Sequence, residues 1–297
     1  MLHLNSKTAA CEFKRILKNI DAFGLESQPR DQKVKESFFE MMVIDPLFPL
    51  CDFSARPVNW RYTAGELMWY LSKESDPMKI LPFSKFWDKL RNPNGTVNSN
   101  YGNLLFGKQL RWVYDSLCKD KDSRQAIAFL NESRFQYPEN KDFVCTLNLL
   151  FFIRNNELNM RVNIRSNDMI RGFSFDAPFF SFILQDMYLW LKETKYPELF
   201  LGTYYHFADN IHYYEEHYDI IDKISKEESI AQPIFSLKDR IFDIGESGEF
   251  TLRLIAEKFM QNVQNLAESG VKEQEPYLAE LMNIFEIYPA TNITYLQ

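Results

Sequence analysis

Glycine is scarce in this chain, 10 of 297 residues, while Phe, Trp and Tyr make up 15 %. That balance excludes a disordered or low-complexity protein and leaves ample material for a core. Cysteines are few: Cys11, Cys51, Cys118 and Cys145 are scattered without a CxxC spacing. They form neither a disulfide framework nor a zinc signature, and they suit the reduced thiols of a cytoplasmic protein. His206, His212 and His217 follow no metal-ligand spacing, so no metal is expected. Positive charge is also short. A net charge of −7 argues against non-specific binding to a nucleic-acid duplex, although a local arginine cluster can still hold a small anion. No apolar run reaches the roughly 18 residues of a membrane span. The opening MLHLNSKTAACEFKRIL lacks the apolar core of a signal peptide, so neither a leader nor a membrane partner is expected. The length allows one large domain or two modest ones.

What is present centres on Asp142 to Asp176, DFVCTLNLLFFIRNNELNMRVNIRSNDMIRGFSFD. Residues 143–153 predict a strand with Cys145 early in it, and Arg154-Asn155-Asn156-Glu157 predicts a short turn. Leu158, Met160, Val162 and Ile164 then alternate with Asn159, Arg161, Asn163 and Arg165, so a second strand has one apolar face. Arg165-Ser166-Asn167-Asp168 closes that strand, and a loop opens a helix over 177–193. A thiol, an Arg-Ser pair and two aspartates in so short a stretch suggest a site built on rigid elements.

Elsewhere the periodicity predicts helices over 8–23, 62–73 and 107–119, with Glu66 the one acid in apolar surroundings on the second. Residues 27–37 read as a polar loop carrying Arg30, and FFEMMVIDPLFPL as strand broken at Pro46 and Pro49. The stretch 83–106 reads as loop-rich, with Trp87, Asp88 and Tyr101-Gly102. Strands are expected at 126–130 and over FLGTYYHFAD, which NIHYYEEHY follows. Residues 219–297 change character, with helices near 250–268 and 275–287. A polar stretch at 222–235 marks a possible domain break; the alternative is a tail packed on the same core. There is no internal repeat.

Several landmarks stand in an order that resembles the thymidylate synthase family. They are GELMWYL around Glu66, FWDKL, NYG, DSR at 122–124, the Cys145 strand, RSND, GFSFD and HYY at 212–214. The resemblance covers about residues 8–218. It implies an α/β protein of the α+β type: a mixed, mainly antiparallel sheet flanked by helices, in a homodimer packed sheet to sheet. Residues 1–218 would form the catalytic domain, and 219–297 a divergent, largely helical region packed on it. Within the family the chain looks most like the deoxycytidylate 5-hydroxymethylase branch. Val144 and Thr146 flank the cysteine where thymidylate synthases usually have Pro and His, and Phe175-Asp176 replaces their Phe-Asn.

That last exchange has a chemical reading. Uracil offers a donor at N3 and an acceptor at O4, which an Asn amide complements. Cytosine offers an acceptor at N3 and a donor at its 4-amino group. A protonated carboxyl matches it, or equivalently a carboxylate holds cytosine protonated at N3, with a more electron-poor C6. A site that pairs one edge rejects the other because buried polar groups go unpaired.

The remaining roles are what the resemblance implies. Cys145 adds to C6 and makes C5 nucleophilic toward the one-carbon unit of 5,10-methylenetetrahydrofolate. Glu66 moves protons through water, and Tyr101 sits beside the cysteine. Arg30, Arg165 and Ser166 bind the 5′-phosphate, with Arg124 reaching in from the partner subunit, and Gln125 beside it removes one cation from that substrate-binding site. Asn167 and Asp168 belong to the same substrate-binding run. His212 and Tyr214 contact the sugar. Trp87, Asp168 and Gly172 lie against the folate. The preferred reaction is conversion of dCMP to 5-hydroxymethyl-dCMP. Methyl transfer to dCMP or dUMP, hydroxymethylation of CMP, and a silent nucleotide-binding homologue remain open.

Blander readings accompany these. Asp176 could be the N-cap of the 177–193 helix, Glu66 could pair with Arg61, and Trp87 could be plain core. Three departures stand out: DSRQ in place of DSRR, a 30–37 loop without glycines, and a longer C-terminal region.

Overall fold

The computed structural model describes residues 7–230, 232–288 and 293–294. Residues 1–6 of the stretch read for a leader, and the last residues of the C-terminal region, lie outside the described residues.

In chain order, helix α1 (Ala9–Phe23) is capped by Thr8, whose side chain accepts from the Cys11 amide at 3.2 Å, and it buries Phe13, Ile16, Leu17 and Ile20. Strands β1 (Leu25–Ser27) and β2 (Val34–Ile44) follow, then helices α2 (Trp60–Ser72), α3 (Phe86–Lys89), α4 (Tyr101–Leu105) and α5 (Lys108–Lys119). Strand β3 (Ile127–Phe129) precedes the hairpin of β4 (Thr146–Arg154) and β5 (Glu157–Ile164). Its turn residues, Asn155 and Asn156, both have positive φ (52° and 65°), the conformation a two-residue hairpin loop requires and asparagine tolerates. Strand β6 (Asn167–Asp168), a π-helical turn at Met169–Phe173, helix α6 (Ser174–Thr194) and strand β7 (Phe200–Tyr214) complete the centre. Beyond lie α7 (Tyr218–Lys226), β8 (Ser229–Ile230), β9 (Ile234–Leu237), β10 (Phe242–Ile244), β11 (Phe250–Leu252), α8 (Leu254–Glu268), α9 (Gln274–Ile284), β12 (Phe285–Tyr288) and β13 (Ile293–Thr294).

The main sheet has the order β1-β2-β7-β5-β4-β3, with β6 also paired to β7. Only β5–β7 and β6–β7 are parallel, so the sheet is mixed and mainly antiparallel, as expected. A parallel pair needs a crossover, and α6 supplies it. This helix is apolar almost all round and buries Phe179, Phe180, Phe182, Ile183 and Leu184. Its first turn, with Asp176, is thereby held against the ends of β5 and β6.

Several boundaries differ from the sequence reading. Cys145 immediately precedes β4 rather than lying within it, although its carbonyl still accepts from the Arg165 amide at 2.9 Å. Residues 34–37 extend β2 rather than forming loop, and β2 ends before Pro46 as a single strand. Tyr101-Gly102 opens a short helix capped by Asn100. NIHYY continues β7 without a break because β2 pairs with it as far as Tyr214. The last two long helices are shorter than predicted, with β11 and β12 at their flanks, so the C-terminal region is not simply helical.

That region packs into the common core. The Phe182 ring meets Phe242 and Phe285, Phe106 stacks on Phe250, and the Gln185 amide donates to the carbonyls of Pro46 and Phe235 while accepting from the Leu237 amide. Arg240, 3 % exposed, lies 3.9 Å from buried Asp186 and over the Trp190 ring. Removing one member of a buried pair strands the other charge, at a cost of about 3–5 kcal/mol. Arg240→Leu is therefore expected to lower the urea midpoint strongly. The double variant Asp186→Leu/Arg240→Leu should recover much of the loss, and equal midpoints for the two would show the pair to be immaterial.

Candidate active site

Around Cys145 the structure gathers Arg165, Tyr101, Asp176 and Glu66. Arg165 bends back over its own strand end. Its Nε donates to the Val144 carbonyl at 3.1 Å, its Nη2 to the Phe143 carbonyl, and Nη2 lies 3.5 Å from Cys145 Sγ. Burial pushes the Cys145 thiol up. Arg165 opposes that shift, Asp176 and Asp142 add to it, and Arg30 works against it. The sulfur is thus within electrostatic reach of both Asp176 and Arg30. A neutral Asp176 removes one of the negative charges that disfavour the thiolate.

Tyr101, buried beneath the thiol, accepts a hydrogen bond from the Thr146 hydroxyl at 3.0 Å and stacks on Tyr70 and Phe180. Glu66 is 8 % exposed, and burial raises its carboxyl to about 8. Its partner is not Arg61, which instead reaches the carbonyls of Val271 and Pro82 and lies over Phe83. Tyr62, one turn earlier on α2, donates its hydroxyl to Glu66 at 2.8 Å and accepts from Trp87 Nε1 at 3.1 Å. That i, i+4 spacing was visible in the sequence as a helix-face pair. Trp87 is 8 % exposed and packs on Trp69, so it stands behind Glu66 as support. A narrow cleft beside Glu66 is bordered by Tyr70, Phe175, Phe179, Phe235 and Phe285, the last two from the C-terminal region.

Asp176 is not a helix cap. It is the third residue of α6, while Asp168 caps the preceding π-helical turn by accepting from the amides of Ile170 and Arg171. The Asp176 carboxyl accepts from Asn167 Nδ2 at 2.7 Å, and burial raises it to about 7. Gly172 faces this pair: a Cβ there would stand 2.8 Å from Asn167 Nδ2 and 3.4 Å from Asp176 Oδ2.

His212 and Tyr214, at the end of β7, meet edge to face. Asn210 donates its amide N–H to Glu36, so its oxygen must accept from His212 Nδ1–H at 2.8 Å, and His212 Nε2 is left as an acceptor. Asp168 pairs with His212 across β6–β7, and Asp168 Oδ2 is buried without a partner among the described residues. Arg30, exposed and with φ 53°, approaches Tyr214. Ser166 is half-buried beside Arg165. Arg124 and Gln125 sit elsewhere, in a groove with Trp112, Lys119, Asp122 and Arg154. Arg154 ends the strand that Cys145 precedes, a span of roughly 30 Å at about 3.3 Å per residue. Within the chain the two places are separate.

The sheet order, the buried crossover helix and the flanking helices define an α+β fold of the thymidylate synthase type. The family profile described as Thymidylate synthase matches residues 11–254, and the chain belongs to that family. It is an enzyme that transfers one-carbon groups. It is similar to the deoxyuridylate hydroxymethyltransferase of Bacillus phage SP01, 26 % identical over 288 residues, covering 89 % of this chain and 73 % of that one. It is also similar to the deoxycytidylate 5-hydroxymethyltransferase of Enterobacteria phage T4, 30 % identical over 176 residues, covering 56 % and 71 % respectively. A thymidylate synthase of Lactococcus lactis subsp. cremoris is 23 % identical over 242 residues, covering 72 % and 81 %.

Proposed function

We propose that this protein is a deoxycytidylate 5-hydroxymethyltransferase, acting in the cytoplasm as a homodimer. The observation that carries the reading is Asp176, a half-buried carboxyl that desolvation raises to about 7, within electrostatic reach of the Cys145 thiol. Such a group can hand a proton to cytosine N3 and accept from the 4-amino group. Protonation at N3 drains electron density from C6. The Cys145 thiolate forms a bond to C6, and the displaced ring electrons make C5 the nucleophile. Arg165 stabilises the thiolate and, with Arg30 and Ser166, holds the 5′-phosphate. His212 Nε2 accepts from the sugar 3′-hydroxyl beside Tyr214. Glu66, held by Tyr62, exchanges protons with water over the base.

The residues present also fit a reduced folate. Asp168 Oδ2 is a buried acceptor with no partner among the described residues, suited to ring N–H donors. Methylenetetrahydrofolate supplies a one-carbon unit at the oxidation level of formaldehyde. The distance of Arg124 from Cys145 supports the dimer, because a second copy can bring that cation to the phosphate. Exposed Phe38, Phe39 and Met41 on β2 give the two sheets an apolar face to share.

Tritium release from C5-labelled dCMP, dUMP and CMP, with and without the folate, tests the assignment. Release from dCMP and a product of hydroxymethyl mass are expected. Binding without release from any of the three would identify a silent homologue, and a methyl product would place the enzyme with the methyltransferases. Gly172→Ala is expected to displace Asn167 from Asp176 and to slow dCMP turnover about 10–100-fold, since small misplacements in a site cost that much. The thermal midpoint, measured in parallel, should move only a few degrees.

A further inference from the structure

A carboxylic acid by itself does not tell cytosine from uracil. It offers one O–H and one bare oxygen, and either base edge can be matched by choosing which oxygen carries the proton. Something must fix that choice. Asp176 Oδ2 accepts from Asn167 Nδ2 at 2.7 Å; Asn167 Oδ1 lies 3.0 Å from His206 Nε2; His206 Nδ1 lies 2.6 Å from the Tyr204 hydroxyl. Tyr204 and His206 are fully buried, and Asn167 is 2 % exposed. Among the described residues the Tyr204 hydroxyl has no other partner, so its proton goes to His206 Nδ1. Reversing that bond would strand a buried O–H at a cost of about 1–3 kcal/mol. The imidazole must then carry its proton on Nε2 and donate to Asn167 Oδ1, which turns the amide N–H toward Asp176. Every bond in the chain points the same way.

We propose that Tyr204 and His206 are specificity-determining positioning residues: through Asn167 they keep Asp176 Oδ2 bare and confine the carboxyl proton to Oδ1. Cytosine is read with Oδ1–H on N3 and Oδ2 receiving the 4-amino group. Uracil would need the opposite placement, and the relay opposes it. This inference rests on the reading of Asp176 as the group that meets the base. Neither Tyr204 nor His206 touches the nucleotide in this scheme. His206 stays neutral, since burial holds its pKa near 3.

The test uses the full-length protein and the ratio of kcat/KM for dCMP over dUMP, followed by tritium release. Tyr204→Phe keeps the ring and removes only the terminal donor, so His206 can change tautomer and Asn167 can turn. His206→Phe frees the amide directly. Each is expected to lower the ratio about tenfold or more, the scale on which a misplaced hydrogen bond discriminates. A purely structural role would reduce both rates alike, and an unchanged ratio in folded Tyr204→Phe overturns the proposal. Long-range proton–nitrogen NMR of the unliganded wild type should show His206 as the Nε2–H tautomer, and the Nδ1–H form would overturn it without any assay. A wild type that prefers dUMP, and loses that preference in both variants, would retain the relay but sink the cytosine reading.

Discussion

Cys145→Ser is expected to reduce tritium release from every pyrimidine nucleotide by more than about 10³-fold, because serine lacks a nucleophile ionisable near neutral pH. The substitution is nearly isosteric. It leaves Arg165 bonded to the carbonyls of Phe143 and Val144, and Tyr101 bonded to Thr146, so the pocket should keep its shape. Nucleotide affinity measured by calorimetry should therefore stay within a few-fold of wild type. Release persisting within tenfold of wild type would mean that the sulfur does not attack the ring.

Asp176→Asn carries the second large effect. An amide in that place still accepts from Asn167 and can donate an N–H hydrogen bond to cytosine N3, but it has no acidic proton to transfer there. Turnover of dCMP should fall about 10³-fold, the range general-acid groups command, and the preference over dUMP should collapse with it. A large gain on dUMP is not expected from this change alone. Asn167 holds the oxygen of the new amide in the bare position, and uracil requires the amide reversed. The pH profile gives a separate check. With Asp176 near 7, kcat/KM for dCMP should decline as pH rises above that value, and the limb should vanish in the variant. Stability follows with the same sign. A carboxyl whose folded pKa lies above its unfolded value contributes stability fully below about pH 4, which is lost as pH rises through about 7. Relative to wild type, the Asn variant should thus be more stable at pH 8 than at pH 5. A preference for dCMP left intact in this variant would remove Asp176 from base recognition.

Parts of this arrangement were legible in the sequence for physical reasons. The β4–β5 hairpin announces itself through strict alternation on β5 and two asparagines that accept positive φ. Cys145 and the RSND run are close in sequence and meet across adjacent strand ends, so motif order captured them. The Asn167–His206 bond was not legible. It joins side chains 39 residues apart, from a two-residue strand whose register partners on β7 are Ile211 and His212, and no local pattern encodes that contact. Asp176 looked like a helix cap because the π-helical turn before it extends the helix backward, past a start that the sequence places at 177. The short strands of the C-terminal region escaped because two to four residues carry too little periodicity to be read.

Gln185 sits inside α6, yet its amide is satisfied by Pro46 on one side and by Phe235 and Leu237 on the other. Shortening the chain to its first 231 residues would leave that amide half-satisfied in an apolar surround and bare the Phe182 ring. Such a fragment should be recovered from expression chiefly as insoluble material.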